Sequence, residues 1–132
     1  MKTNLSDAYG TDKNLEKDGK WFDIATDVKF CMKRMGGHNA VRVNELRAKY
    51  IRPHIRQIEK NLLPKEVEQK LYVKVFVESC MVDWSGLSDD EGDIKFTNET
   101  AVELFMSTPD LFDTVFSLSN DSDSYKEDLG NS

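Results

Sequence analysis

PKEVEQKLYVKVFVESCMV, residues 64–82, is the stretch on which the reading of the fold turns. Pro64 stands where a helix start tolerates a missing N–H, and Glu66 falls in the first turn. Lys70, Lys74 and Glu78 recur every four residues and share one narrow polar strip. Leu71, Tyr72, Val73, Val75, Phe76, Val77, Cys80 and Met81 cover nearly everything else. A helix apolar almost all round is a buried one, so the spacing predicts a central core helix running to about Val82. The run LYVKVFV (71–77) also has strand propensity, and on sequence that alternative stays open.

Upstream, the paired Gly36 and Gly37 interrupt regular structure, and Asn39 is placed to cap a new helix from about Ala40 to Leu62. Val43, Leu46 and Tyr50 make one apolar stripe of that helix. Ile51, Ile55, Ile58 and Leu62 make a second, rotated from the first, with Pro53 at the switch, where a kink or break is expected. On the opposite side Arg42, Lys49, Arg52, Arg56 and Lys60 fall within a sector of roughly 80° on a 100° wheel. Such a row is commonly a solvated face, and otherwise a docking surface for an acidic partner. Still further upstream, KWFDIATDVKFCMKR (20–34) gives two short strand-like runs turning near Thr26 and Asp27. Val28, Phe30 and Met32 alternate there against Lys29, Cys31 and Lys33; a single helix from Asp23 to Met35 is the other reading. Residues 1–19 are polar, carry two glycines and read as a mobile arm.

Downstream, DWSGLSDDEGDIKF (83–96) reads as a loop that Trp84 and Leu87 pin to the core and from which Ile94 and Phe96 return. Its acids suggest calcium, but with Gly92 at the sixth position of an EF-hand loop the first and twelfth positions fall on Leu87 and Asn98, where carboxylates are needed. Thr97 or Asn98 starts a helix to about Met106, and Thr108, Pro109 and Asp110 restart another. Leu111, Phe112, Val115, Phe116 and Leu118 give the last helix an apolar edge that must bury against something, either the core or a partner. Residues 120–132 read as a disordered acidic tail. The expected architecture is mainly α, one small helical domain over residues 20–119 with a short N-terminal β-hairpin.

The chain has 132 residues, room for one core, and 32% of them are charged. Its net charge of −6 hides a segregation: residues 28–74 hold twelve Lys or Arg against four Glu, whereas 83–132 hold thirteen Asp or Glu against two Lys. No uncharged apolar run approaches the ~18 residues of a membrane span, and the first twenty residues lack a secretory core, so a cytoplasmic protein is expected. Cys31 and Cys80 form no ligand pattern and read as buried thiols. His38 and His54 stand in no metal-ligand spacing. No nucleophile elbow, phosphate loop or dinucleotide fingerprint is present, and MGGHN (35–39) lacks the Lys and Ser or Thr of a phosphate loop. Binding rather than catalysis is the expectation, with no cofactor and no metal. Nucleic-acid binding through residues 42–60 is the alternative, weakened by the acidic balance and the lack of interleaved aromatics.

Three blocks, GKWFDIATDVKFCMKRMGG (19–37), YIRPHIRQIE (50–59) and VFVESCMVDWSGLSDDEGDIKFTNETAVELFMSTPDLFDTVF (75–116), resemble in their order the tail assembly chaperones of long-tailed bacteriophages. The likeness extends over roughly residues 19–118 and lies in packing and loop residues. It implies a non-enzymatic protein of the host cytoplasm that binds the tape measure protein, helps recruit the tail tube protein and is absent from the finished virion. Because the family carries no sharp site motif, the expected binding residues come from charge and hydrophobicity: Arg42, Lys49, Arg52, Arg56 and Lys60 on one face, Phe112, Val115 and Phe116 on an apolar edge. Segregated charge also permits self-association.

Overall fold

The computed structural model describes residues 13–126. The chain is mainly α with a minor β part. A short helix α1 (Lys13–Asp18) leads into strands β1 (Lys20–Ala25) and β2 (Val28–Met32). A 3-10 turn (Gly37–Asn39), α2 (Ala40–Tyr50), a second 3-10 turn (Arg52–His54) and α3 (Ile55–Glu59) follow. Then come α4 (Lys65–Cys80), β3 (Met81–Ser85) and the two-residue strands β4 (Ser88–Asp89) and β5 (Gly92–Asp93). Helices α5 (Asn98–Ser107) and α6 (Pro109–Asn120) and a last 3-10 turn (Ser122–Tyr125) complete the order.

The N-terminal strands form the expected hairpin, turning at Thr26 and Asp27, with Asp27 in the left-handed region at φ 61°; the alternative single helix over 23–35 is overturned. The hairpin is extended by a strand that the sequence reading missed. β3 pairs antiparallel with β2, so the sheet order is β1-β2-β3. The helix expected to reach Val82 stops at Cys80, and Met81 turns extended (φ −73°, ψ 128°) with no intervening loop. Phe30 lies opposite Trp84 across the ladder, their rings 5.7 Å apart, and this pair sets the sheet face against the helices. Cys31, on the face opposite Phe30, is buried as expected of a free thiol, and Gly19 and Val82 lie over it: a Cβ on Gly19 would come within 2.9 Å of the Cys31 sulfur.

The stretch 71–77 is helical, and α4 is the core element. Val73, Phe76, Val77 and Cys80 are fully buried, although Tyr72 stays exposed. An aromatic chain runs through the core: Phe96 and Trp84 at 5.1 Å, Phe30 and Phe105 at 6.1 Å, Phe105 and Phe76 at 6.0 Å, Phe76 and Phe112 at 5.5 Å. Each such edge or tilted pair adds about 0.5–1.5 kcal/mol to the burial of the rings themselves. The loop after β3 is pinned as expected, with Trp84 Nε1 donating to the Ile94 carbonyl at 2.8 Å. Thr97 caps α5 in a reciprocal box with Thr100. Thr108 precedes α6 without a side-chain cap bond, and Pro109 supplies the start.

Both expected flexible ends are corrected where they are described. Residues 13–18, taken as part of the arm, are helical, while residues 1–12 lie outside the described residues. The expected tail is part of the fold as far as Lys126. Tyr125 is fully buried, its hydroxyl donates to the Met32 carbonyl at 2.9 Å, and its ring meets Phe22 edge-on at 5.7 Å. Lys20 Nζ donates to the Ser124 carbonyl at 2.7 Å, and Ser119 Oγ donates to the Lys33 carbonyl at 2.7 Å. These bonds clasp the C-terminal segment across β1 and β2. Residues 127–132 lie outside the described residues.

Candidate interaction surface

The basic face is built on a broken support. α2 buries Val43 and Leu46 and half-buries Tyr50, and then the helix gives way at Ile51 to the 3-10 turn containing Pro53. Arg42 and Lys49 therefore belong to α2, Arg52 to the turn, Arg56 to α3 and Lys60 to its C-cap. The single-wheel sector assumed from sequence is replaced by two helical pieces and the turn between them. All five cations are exposed. Arg42 makes a 3.5 Å ion pair with Glu45, both side chains more than half exposed, a contact worth at most about 1 kcal/mol. Lys49 Nζ sits 5.0 Å from the Tyr50 ring centre and Lys74 Nζ 5.6 Å from it. The Tyr50 hydroxyl donates to Glu78, whose carboxylate raises the tyrosine's ionisation above its ordinary value and keeps the donor in place. Arg52, Arg56 and Lys60 stand in none of the ion pairs formed among the described residues.

The second apolar stripe is not buried as a unit. Ile51 is buried and Ile58 half-buried, but Ile55 is 40% and Leu62 70% exposed. The helix that would have carried them inward ends at Glu59, where Asn61 takes a left-handed conformation (φ 56°). The sequence reading missed this turn. Asn61 followed by Pro64 was the available signal, since both are common just beyond a helix C-terminus.

Phe112, Val115 and Phe116, expected as an apolar edge at a partner surface or in the core, pack in the core. Val115 is fully buried and Phe112 nearly so, and Phe116 is half-buried with its ring 6.1 Å from Phe76. α6 lies against α4 and α5 of its own chain, so this edge is consumed internally. The polar strip of α4, formed by Lys70, Lys74 and Glu78, faces Asn98, Glu99, Val102 and Glu103 of α5 across a groove of about 350 Å³.

The polar centre in the interior is structural in its chemistry. Asn39 makes no cap bond to α2. Its side-chain amide is buried and donates to the Ser79 carbonyl at 2.7 Å, filling one of the acceptors that the end of α4 leaves open. Cys80 Sγ lies 3.3 Å from Ser79 Oγ and 3.2 Å from the Met35 sulfur. Burial pushes the Cys80 thiol above its ordinary ionisation, and burial with Asp83 nearby does the same for Cys31, so both thiols stay protonated and weakly nucleophilic. His54 Nδ1 is 3.1 Å from Gln57 Oε1. Among the described residues no three His, Cys, Asp or Glu side chains are placed to hold a metal ion, and no helix is long and apolar enough to cross a membrane.

No curated protein and no solved structure matches the chain. A match to the family described as YdaY prophage protein spans residues 38–130, which takes in α2 to α6, the basic face and the C-terminal clasp. The chain belongs to that prophage protein family.

Proposed function

We propose that this prophage protein is a non-catalytic assembly factor of the host cytoplasm. It docks the face formed by Arg42, Lys49, Arg52, Arg56 and Lys60 onto an acidic protein partner, the tape measure protein of the phage tail foremost. The observation that carries the reading is the exposure of these cations together with the absence of Arg52, Arg56 and Lys60 from the ion pairs formed among the described residues, in a molecule whose C-terminal half is strongly acidic. Cations that contribute little to the fold and are not neutralised by it are available to a partner, and their steering is longest-ranged at low salt. The tail-assembly part of the reading is supported by the resemblance over residues 19–118, and the phage context by the family. Buried thiols held protonated by their burial support a role without catalysis.

Co-expression with the tape measure protein of the same prophage, followed by affinity recovery, tests this. Wild type should be recovered with the partner, and Arg52→Glu with Arg56→Glu should reduce recovery at least about tenfold, as expected when a steering face is reversed. Equal recovery of wild type and the double variant, or no recovery of either, would sink it. Tight, steeply salt-dependent binding of duplex DNA by the same residues would replace the protein partner with nucleic acid.

A further inference from the structure

Leu62 leaves 70% of its surface to solvent, yet it does not sit on a loose loop. The Leu62 N–H donates to the Gln57 carbonyl at 2.8 Å and the Asn61 N–H to the Ile58 carbonyl at 3.1 Å, around Asn61 in the left-handed region. This is the paired-bond pattern of a Schellman C-cap. In such a cap the residue at Leu62's place commonly packs on an apolar side chain one turn back in the helix. Here those places hold Gln57 and Arg56, so the leucine is held out by the backbone with no apolar partner behind it. Ile55 and Val67, 40% and 44% exposed, lie on either side of it in sequence. Residues 52–67 carry four Lys or Arg against two Glu, so the apolar projection has a basic rim.

The complement stands on the outer side of α6. Asp113, Thr114, Ser117 and Leu118 line a shallow open depression of about 450 Å³. The Thr114 hydroxyl is engaged by the Asp110 carbonyl at 3.1 Å. Residues 110–123 hold four Asp and no Lys or Arg, and none of the ion pairs among the described residues reaches Asp110 or Asp113.

We propose that Leu62, flanked by Arg56 and Lys60, seats in the Asp113–Leu118 depression of a second copy of this chain. The two surfaces differ, so the contact is head-to-tail. Each added copy leaves one projection and one depression free, and growth continues unless the rotation closes a ring. A leucine and a few rim charges make a small contact, so association is weak, reversible and dependent on concentration. The contact involves only this chain and stands or falls separately from docking to a tape measure protein.

Sedimentation velocity on the purified full chain over a range of concentrations, at low and high salt, reads the effect. The average mass should rise with concentration and fall back as salt screens the rim. Leu62→Asp and Asp113→Lys should each weaken association by roughly tenfold or more. Arg56→Glu, a change that leaves the leucine in place, should weaken it in the same direction. Both sites are on the surface, and circular dichroism matching wild type separates lost association from lost fold. The decisive sample is an equimolar mixture of Leu62→Asp and Asp113→Lys, which retains one good projection and one good depression. It should form a dimer and nothing larger. A wild-type mass that stays monomeric, association unmoved by the substitutions, or a mixture with no recovered dimer overturns the proposal.

Discussion

Tyr125 is fully buried and hydrogen-bonded to the Met32 carbonyl, in a segment whose composition is otherwise that of a solvated tail. Its burial raises its ionisation, as burial raises that of Cys80 and Cys31. Each of these groups is neutral when protonated, so the unfolded chain gives up the proton first, near the ordinary values of 9.0 and 10.0. The stability they contribute is intact below those values and is lost as the pH rises beyond them. Thermal melts should therefore fall progressively above about pH 9. Tyr125→Phe should cost about 1–2 kcal/mol at neutral pH, by removing the buried bond from its hydroxyl to the Met32 carbonyl, and should flatten part of the alkaline decline. A Tyr125→Phe melt curve parallel to wild type across the alkaline range would contradict this. Neither role was legible locally. One tyrosine among acids carries no period, and Asn39 reads as a cap because cap preference is a statistic of neighbours, whereas the acceptor that claimed its amide, the Ser79 carbonyl, lies forty residues away.

For the elements, the helices with explicit chemistry at their starts were legible, and the one ending without punctuation was not. Thr97 with Thr100 announces α5, and Pro109 announces α6. Between α4 and β3 there is no glycine or proline, and the change of structure is imposed by pairing with β2, which no local pattern records. The helix over 71–77 prevails over its strand propensity because only helical spacing puts Val73, Phe76, Val77 and Cys80 on one face. Gly86, at the end of β3, has φ +85°, and a Cβ there would stand 1.8 Å from the Asp27 carbonyl oxygen, so β3 and the hairpin turn touch backbone to backbone. Gly86→Ala combines a disfavoured conformation with that collision and should destabilise by more than about 1 kcal/mol in urea unfolding. A midpoint equal to wild type would show that this approach is not retained in solution.

In the molecule as a whole, charge was the legible property and coverage was not. Exposure of Arg42, Lys49, Arg52, Arg56 and Lys60 follows from the cost of burying unpaired charge, so the basic face could be read before its support was known. An apolar helix edge looks the same whether its own chain or another covers it, which is why Phe112, Val115 and Phe116 were open between core and interface. Leu62 looked like the continuation of a buried stripe for the converse reason: its spacing from Ile55 and Ile58 suits a continuing helix, and Asn61 with Pro64 marks the end of that helix without saying what its apolar face covers. The clasp formed by Ser119, Ser124 and Tyr125 joins parts of the chain 86 to 104 residues apart. A chain ended at Leu118 should lose about 3 kcal/mol or more of burial and hydrogen bonding and melt roughly 10 °C or more lower; an unchanged melt would remove the clasp from the account. The same closure has a meaning for synthesis. Because Tyr125 completes a contact with a strand made some ninety residues earlier, a chain still leaving the ribosome holds an open core until almost all of its described length has emerged. Any sequence fused at this end must leave Tyr125 in place if the domain is to finish closing.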